Sequence, residues 1–355
     1  MGGRVFFRCR ECERCETCED DANARFGDDI FGGRDIVITN FEIKGPVSDY
    51  ITILILYSKR LLTNDSDTLH AMAGIMRRVS EKLGYDMVQG LPAGAFDRFL
   101  LFSGFDHLFH RHLHLRRRPG FPSWSWAGWR GQLKFEYPGI RIMPWGVNQG
   151  DSQMSWLRDG TWIIWYQRLP GGLETLVWNP SNHTVQTTPR QTTAQPRGGE
   201  RYPTQRYTFQ SNYITIPTTR TAPTPGLWPN GQDLRSYPIL RFWTLSVWLK
   251  IDTIGVLGEE TRLLDANGED CGHVMIDGLD ESHLDEAAAA EEPVELILLS
   301  RTDMVTLRRL RMGYYVMILE WKDGVAERRG LGRIYDQCLQ YTFAPGPMWK
   351  EITLA

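Results

Sequence analysis

The sequence lacks long apolar runs and lacks an excess of charge of either sign. Its longest apolar candidate, Ile51 to Tyr57, is about a third of the roughly 20 residues that a helix needs to span a bilayer. The 40 Lys and Arg residues nearly balance the 43 Asp and Glu residues, which leaves a formal net charge of −3. Nucleic-acid scaffolds and polybasic membrane binders need a strongly basic face. The composition therefore argues against a transmembrane protein, a nucleic-acid partner and a membrane partner.

Cysteine is also scarce, and it is unevenly placed. Of the 6 cysteines, four lie between Cys9 and Cys18, which is unlike a disulfide framework spread over a secreted fold. The N-terminus has no apolar signal-peptide core and no small-residue cleavage site. We therefore expect a cytoplasmic protein whose thiols are reduced or hold a metal. With 42% hydrophobic residues the chain can bury a core, in about two or three folding units.

The apolar spacing is helical in the first third of the chain. Steps of three and four residues predict one helix over Tyr50 to Tyr57 and a second over Leu69 to Leu83, which Gly84 closes. A third, short and buried helix is predicted over Ala93 to Phe102, after a proline. This part of the chain is therefore expected to be a helical segment.

Beyond position 120 the pattern changes to short β-branched and aromatic runs separated by glycine and proline. Such runs are typical of an antiparallel β structure. The predicted strands are residues 123–133, 161–168, 173–178, 244–254, 294–301, 314–321, 325–335 and 349–354. The predicted fold class is α+β: a short helical segment, then a largely antiparallel β-rich domain with a disordered Thr/Pro-rich insertion.

Changes in composition also predict the domain boundaries. We expect a first unit with the cysteine run over residues 1–45, a helical connector over 46–118 and the β-rich domain over 119–355. Residues 179–233 are rich in Thr, Pro, Gln and Arg and offer little to bury, which predicts a mobile insertion. Residues 279–292 begin with acidic residues and continue with an alanine run, which predicts a short exposed acidic helix.

The cysteine run is a candidate metal site. Its members, three positions apart, are Cys9, Cys12, Cys15 and Cys18. Thiolates are the ligands that zinc and iron–sulfur clusters select, although four ligands on one short segment would strain a tetrahedral zinc site. An iron–sulfur cluster would normally recruit its last ligand from elsewhere, and here only Cys271 or Cys338 could supply it. The alternative is a surface loop of reduced thiols without zinc or another cofactor.

A run of histidines precedes three arginines in the connector. The histidines are His107, His110, His112 and His114. His110 and His114 would share a face if the segment were helical, which leaves a metal or phosphate site conceivable. No carboxylate lies between Asp106 and Glu136, so the usual catalytic zinc pattern is incomplete. We expect a solvated basic connector.

Residues 121–129 alternate large indoles with serines. As a strand, this run places Trp124 and Trp126 on one face and Ser123 and Ser125 on the other. A row of indoles can stack on sugars or bases, or it can form an apolar wedge between helices and a sheet. Because burial is the commoner outcome for such large rings, we expect these residues to lie in the core.

An Asp-Gly pair near the C-terminus predicts a β-hairpin with two opposed carboxylates. A two-residue turn at Asp323-Gly324 places Glu320 directly opposite Glu327, and the two repel unless one is protonated or a cation lies between them. That arrangement makes Glu320 and Glu327 candidate catalytic residues. A three-residue turn with a bulge at the glycine would instead separate them and let Arg328 or Arg329 neutralise either acid.

Four stretches of the chain resemble the region downstream of the HET domain in fungal heterokaryon-incompatibility proteins. They are residues 57–63 with the helix 67–75, residues 90–92, residues 117–129, and the C-terminal set 295–300, 316–321, 326–332 and 349–352. The single residues that carry the resemblance are Pro122, Trp124, Trp126, Trp129, Glu327, Arg328, Gly330 and Trp349. Their order and spacing extend the resemblance over most of the chain.

The resemblance implies a role in fungal non-self recognition and cell death. In that family the HET domain is held responsible for death, and its W-I-D-x-L-C-I-x-Q and G-W-T-x-Q-E blocks do not occur here. Arg4 to Cys9 resembles the strand that closes that domain, so we expect the chain to begin inside it. The expected function is an accessory or recognition region, non-catalytic alone, with a protein partner or a HET domain absent from this chain. The alternatives are a hydrolase on carbohydrate or nucleotide that uses Glu320 and Glu327, and a metal-binding interaction module.

Overall fold

The structure is a computed structural model. It describes residues 6–8, 13–15, 46–106, 111–112, 115–136, 141–143, 146–148, 156–157, 160–170, 172–178, 209–217, 222–224, 236–252, 261–277, 292–306 and 309–355. The chain divides into two compact units, Met1–Asp49 and Tyr50–Ala355. None of the helices in the described ranges is both long and apolar enough to cross a membrane.

Three α-helices are described: α1 (Pro46–Ser58), α2 (Thr68–Leu83) and α3 (Phe96–Phe99). Gly84 ends α2 in the left-handed conformation at φ 69°, and its N–H donates to the carbonyl of Ser80 at 2.8 Å, as predicted. The third helix is shorter than predicted, because a 3₁₀ turn occupies Ala93–Ala95 and the chain turns into a strand at Phe102.

Twelve short strands precede the main sheet in the described part of the chain and pair as antiparallel hairpins or isolated pairs. They are β1 (Phe6–Arg8), β2 (Glu13–Cys15), β3 (Met87–Val88), β4 (Leu91–Pro92), β5 (Phe102–Ser103), β6 (Phe105–Asp106), β7 (Arg111–His112), β8 (Arg116–Arg117), β9 (Trp129–Arg130), β10 (Lys134–Phe135), β11 (Arg141–Met143) and β12 (Gly146–Asn148). In the first unit β1 pairs with β2, with Arg8 opposite Glu13. In the second unit β3 pairs with β4, β5 with β10, β6 with β7, β8 with β9 and β11 with β12.

One nine-stranded sheet dominates the second unit. Its strands are β13 (Tyr166–Arg168), β14 (Glu174–Leu176), β15 (Ile239–Asp252), β16 (Thr261–Leu264), β17 (Asp270–Ile276), β18 (Val294–Thr306), β19 (Arg309–Lys322), β20 (Val325–Tyr335) and β21 (Met348–Leu354). The pairings run from β15 through β16, β17, β20, β19 and β18 and return to β15, so they form a closed circuit. Every described pairing in the sheet is antiparallel except that of β20 with β21. The fold is therefore α+β, with few helices and a large antiparallel sheet.

The strand predictions differ from the structure in several places. Strand β13 begins only at Tyr166 and not at residue 161, and β15 begins at Ile239 and not at residue 244. The predicted strand over residues 123–133 is wrong: the Ser125 hydroxyl accepts from the N–H of Ala127 at 3.0 Å and supports a 3₁₀ turn, which leaves only β9 as a strand. Strands β16 and β17 were not predicted, because their polar and glycine residues obscure the alternation. The predicted bounds of β20 are confirmed.

The predicted insertions lie largely outside the described residues. Two described stretches of the first one, residues 209–217 and 222–224, bind the 3₁₀ segment that follows β20 and strand β21, respectively. Ser211 Oγ donates to Asp336 Oδ1 at 2.6 Å, and Thr224 Oγ1 donates to Glu351 Oε2 at 2.6 Å. The mobility of residues 179–233 and the acidic helix over 279–292 stay predictions.

Side chains on both faces of the sheet are buried. All six residues from Tyr314 to Leu319 in β19 are buried, so side chains from both faces of this strand are covered. Part of the cover comes from Trp165, whose ring centroid lies 4.4 Å from Phe242 in the sheet and 5.4 Å from Phe96 in α3. The helical segment is therefore packed onto the sheet, and charged side chains at this junction have to be paired inside the protein.

Candidate functional site

A buried arginine occupies the junction between β20 and the helical segment. Arg328 Nε and Nη2 lie 3.1 and 2.9 Å from Asp277 Oδ2, and both side chains are at most 1% exposed. Arg328 Nη1 donates to the carbonyl of Leu100 at 2.9 Å, and Nη2 also donates to the carbonyl of Phe102. We call Arg328, Asp277, Leu100, Phe102 and Ser123 the Arg328 cluster.

The local fold of β20 separates two consecutive arginines. The register shifts opposite Ile318 and Leu319, where Leu319 faces Arg328 and Ile318 faces Gly330, so Arg329 is the extra residue of a β-bulge. Arg328 enters the junction, with its guanidinium 3.8 Å from the ring centroid of Phe102. Burial lowers the pKa of Arg328, and the carboxylate of Asp277 opposes that effect.

Ser123 connects this cluster to the indole run. Its hydroxyl accepts from the N–H of Arg328 at 2.9 Å and donates to the carbonyl of Ala355, which also accepts from the Ser123 N–H at 3.0 Å. The indole N–H of Trp129 donates to the Ser123 carbonyl at 2.7 Å. Ser123 therefore connects the indole run 121–129 to β20 and to Ala355, the residue after β21.

The three indoles of the run are buried, as predicted. Trp124, Trp126 and Trp129 are 0, 1 and 1% exposed. The Trp126 indole N–H donates to the carbonyl of Gly90 at 3.0 Å, and the Tyr50 hydroxyl donates to the same oxygen at 2.9 Å. A Cβ on Gly90 would lie 2.6 Å from Trp126 Nε1, so only glycine fits there. These rings therefore pack in the core, and burial raises the pKa of Tyr50.

The last two arginines of the predicted basic connector, Arg117 and Arg118, are bound to the indole run 121–129 rather than solvated. Arg118 is buried and forms an ion pair with Asp65 at 2.9 Å, and it donates to the carbonyl of Trp129. Arg117 donates to the carbonyl of Gly128 at 3.1 Å, and burial lowers its pKa. The solvated connector is therefore wrong for these two residues, because their guanidinium groups satisfy carbonyls of the 3₁₀ turn.

The Glu320 and Glu327 pair has the predicted two-residue register. Asp323 and Gly324 form the turn with φ of 53° and 80°, and Glu320 lies directly opposite Glu327. A cation accompanies the pair, since Arg329 forms an ion pair with Glu320 Oε2 and Lys322 Nζ lies 3.8 Å from Oε1. Arg329, and not Arg328, therefore relieves the repulsion. A catalytic role for the two carboxylates stays a prediction.

Three other residues that carry the resemblance, Gly330, Pro122 and Trp349, have structural roles in turns and packing. A Cβ on Gly330 would lie 2.4 Å from the carbonyl oxygen of Met275, so β17 and β20 approach closely there. The Pro122 carbonyl accepts from the N–H of Ser125 at 3.2 Å. Trp349 lies opposite Leu245 in the sheet, with its ring centroid 6.4 Å from that of Phe209.

The predicted metal ligands lie mainly outside the described residues. Cys15 ends β2 and His112 ends β7, whereas Cys9, Cys12 and Cys18, like His107, His110 and His114, lie outside the described ranges. Within those ranges, no group of three or more His, Cys, Asp or Glu residues could hold a metal ion. A zinc site in the cysteine run stays a prediction.

Two further ion clusters on the sheet were not predicted. Arg241 is buried and binds Glu351 and Glu174, the latter at 3.2 Å. Glu295 accepts from Lys350 Nζ at 2.8 Å and from the Trp321 indole at 2.7 Å. The sequence does contain a signal for the first cluster, because Arg241 is the only charged residue between Ile239 and Leu249, and a buried charge needs a partner.

Comparisons of the chain with protein-family models, with curated proteins and with solved structures find no significant match.

Proposed function

We propose that this chain is a cytoplasmic accessory region of the fungal HET family that acts with a HET domain or another protein partner in non-self recognition and cell-death signalling. In this proposal the chain is non-catalytic by itself. The observation that supports it is the meeting of motif residues, distant in sequence, in one buried network around Arg328.

Contacts in and around this network join residues from all four stretches that carry the resemblance. Trp126 binds Gly90 at 3.0 Å, 36 positions earlier in the chain. Arg328 binds Ser123 at 2.9 Å, although the two are 205 positions apart. The ring of Tyr57 packs edge-on against Trp126 at 5.9 Å. Residues that carry the resemblance thus contact one another in the fold. Such contacts are expected if these residues have a common structural role.

The chemistry of the network favours a scaffold over a reaction centre. The hydroxyl of Ser123 binds the backbone of Arg328 and Ala355, and the indole of Trp129 binds the backbone of Ser123. Arg328 binds two backbone carbonyls and one buried carboxylate. Buried polar networks of this kind rigidify a fold and specify a unique packing. Such a framework suits a region that presents a fixed surface to a partner.

A binding measurement tests this proposal. The purified full chain is titrated with a purified HET domain from a full-length family protein, and the heat of binding is measured. We expect saturable binding for the wild type and for Arg262→Met, whose side chain is 56% exposed. Arg328→Met should lose binding because it disrupts the junction. Absence of binding by the correctly folded wild type would contradict the proposal.

The observed register also favours one alternative, a hydrolase that uses Glu320 and Glu327. Two opposed carboxylates are the minimal equipment for acid–base hydrolysis of a glycosidic bond. Turnover of carbohydrate and nucleotide substrates is measured for the wild type, Glu320→Gln and Glu327→Gln. Loss of turnover at an unchanged unfolding midpoint would support this alternative, whereas unchanged turnover would end it.

A further inference from the structure

The two cysteines of the second unit meet each other, although they are far apart in the sequence. Cys271 lies in β17, and Cys338 lies in the 3₁₀ segment Asp336–Tyr341 between β20 and β21. They are 0 and 3% exposed, and Cys338 Sγ lies 3.9 Å from the carbonyl of Asp270, the residue before Cys271. That carbonyl belongs to the peptide unit that joins Asp270 to Cys271, so the two cysteines are neighbours in the fold.

The surroundings keep Cys271 in the thiol form. The hydrogen bond with Cys338, then burial, then the nearby carboxylates of Asp265 and Asp270 raise the pKa of Cys271. Because the thiolate is the form that reacts, Cys271 is a poor first nucleophile. A reaction therefore has to begin at Cys338, the slightly more exposed member of the pair.

We propose that Cys271 and Cys338 are a redox pair that closes to an intramolecular disulfide when the protein reacts with hydrogen peroxide. The Cys338 sulfur attacks one peroxide oxygen, the O–O bond breaks, and a sulfenic acid and one molecule of water form. The Cys271 sulfur then attacks the Cys338 sulfur, the S–O bond breaks and a second molecule of water leaves. Two thiols are oxidised, one peroxide is reduced, and both thiol protons end in water.

The disulfide would lock one end of the sheet. The 3₁₀ segment also holds Asp336, whose carboxylate accepts from Ser211 at 2.6 Å and from the Tyr314 hydroxyl at 2.8 Å. The carbonyl of Tyr341 accepts from the N–H of Ala266 at 2.8 Å. A covalent bond from β17 to this segment therefore reinforces contacts that already join it to β19 and to the stretch 209–217.

Peptide mapping tests the proposal on the full chain. The reduced protein is treated with hydrogen peroxide, its remaining thiols are alkylated in denaturant, and disulfide-linked peptides are identified by mass spectrometry. We expect a linked peptide of Cys271 with Cys338 that dithiothreitol reverses. Recovery of both as alkylated thiols, or linkage of either to the N-terminal cysteines, would overturn the proposal.

A measurement of stability shows whether the Cys271–Cys338 disulfide stabilises the fold or forms without effect on it. In a full chain with serine at the four N-terminal cysteine positions, oxidation should raise the unfolding temperature, because the bond closes a long loop of the unfolded chain. In the same background Cys338→Ser should show no shift upon oxidation. A lower or unchanged unfolding temperature for the oxidised protein would contradict the lock.

Discussion

At the residue scale, Arg328 has the largest predicted energetic effect. Its guanidinium and Asp277 are fully buried together, and removal of one partner of such a pair leaves an uncompensated charge. We expect Arg328→Met to lower the free energy of unfolding by about 3–5 kcal/mol. Urea denaturation measures this loss, and Asp277→Asn added to the same variant should recover part of it.

An exposed pair is the matched control for this prediction. Arg77 lies 3.8 Å from Glu81 one turn along α2, and the two side chains are 82% and 68% exposed. Arg77→Met should change the free energy of unfolding by less than about 1 kcal/mol, because solvent screens an exposed pair. Equal losses in Arg77→Met and Arg328→Met would contradict the role assigned to burial.

Buried tyrosines predict a loss of stability at alkaline pH. Burial raises the pKa values of Tyr50, Tyr314 and Tyr315 above the ordinary value of 10.0, so these phenols stay protonated in the fold while the unfolded chain ionises. Their contribution is therefore complete below pH 10 and is lost as the pH rises above it. Urea midpoints across this range should fall. Tyr50→Phe should flatten the fall, whereas Tyr213→Phe, at an exposed side chain, should not.

At the element scale, three glycines around α2 differ in what they require. Gly74 lies inside the helix with open space around its Cα, so Gly74→Ala should raise the free energy of unfolding by about 0.5–1 kcal/mol. Gly84 has φ 69° and open space, so Gly84→Ala should lower it by about 1–2 kcal/mol. Gly90 has φ 81° and a Cβ position 2.6 Å from Trp126 Nε1, so Gly90→Ala should lower it further.

Urea denaturation of the three variants tests this order. The comparison separates backbone strain, which Gly84 and Gly90 share, from the close approach to an indole, which only Gly90 has. A Gly90→Ala protein as stable as Gly84→Ala would show that the Trp126 ring can move away, and that the junction is less rigid than its contacts indicate.

The elements also show where sequence reasoning succeeds and where it fails. The end of α2 at Gly84 and the Asp323-Gly324 turn were predictable, because each follows from a few adjacent residues. The run 123–129 was not, because the choice between a strand and a 3₁₀ turn depends on the Ser125 hydroxyl and on contacts with Gly90 and Arg328. Local patterns predict local structure, and long-range contacts decide the rest.

At the scale of the whole molecule, the antiparallel sheet was predictable but its closure was not. Alternation identifies strands, yet it contains no information on which distant strands pair, such as β15 with β18. The burial of the indoles was predictable from their size. The assembly of the Arg328 cluster was not, because Arg328 and Asp277 each stand in an unremarkable sequence context and become partners only through the strand order.

The central claim, that this chain is an accessory region without activity of its own, is tested most directly by cell viability. The chain is expressed in fungal cells that contain no full-length HET protein, and again together with one. We expect the cells to grow normally when the chain is expressed alone and to die at a changed rate only when the full-length protein is present. Death caused by the chain alone would contradict the claim.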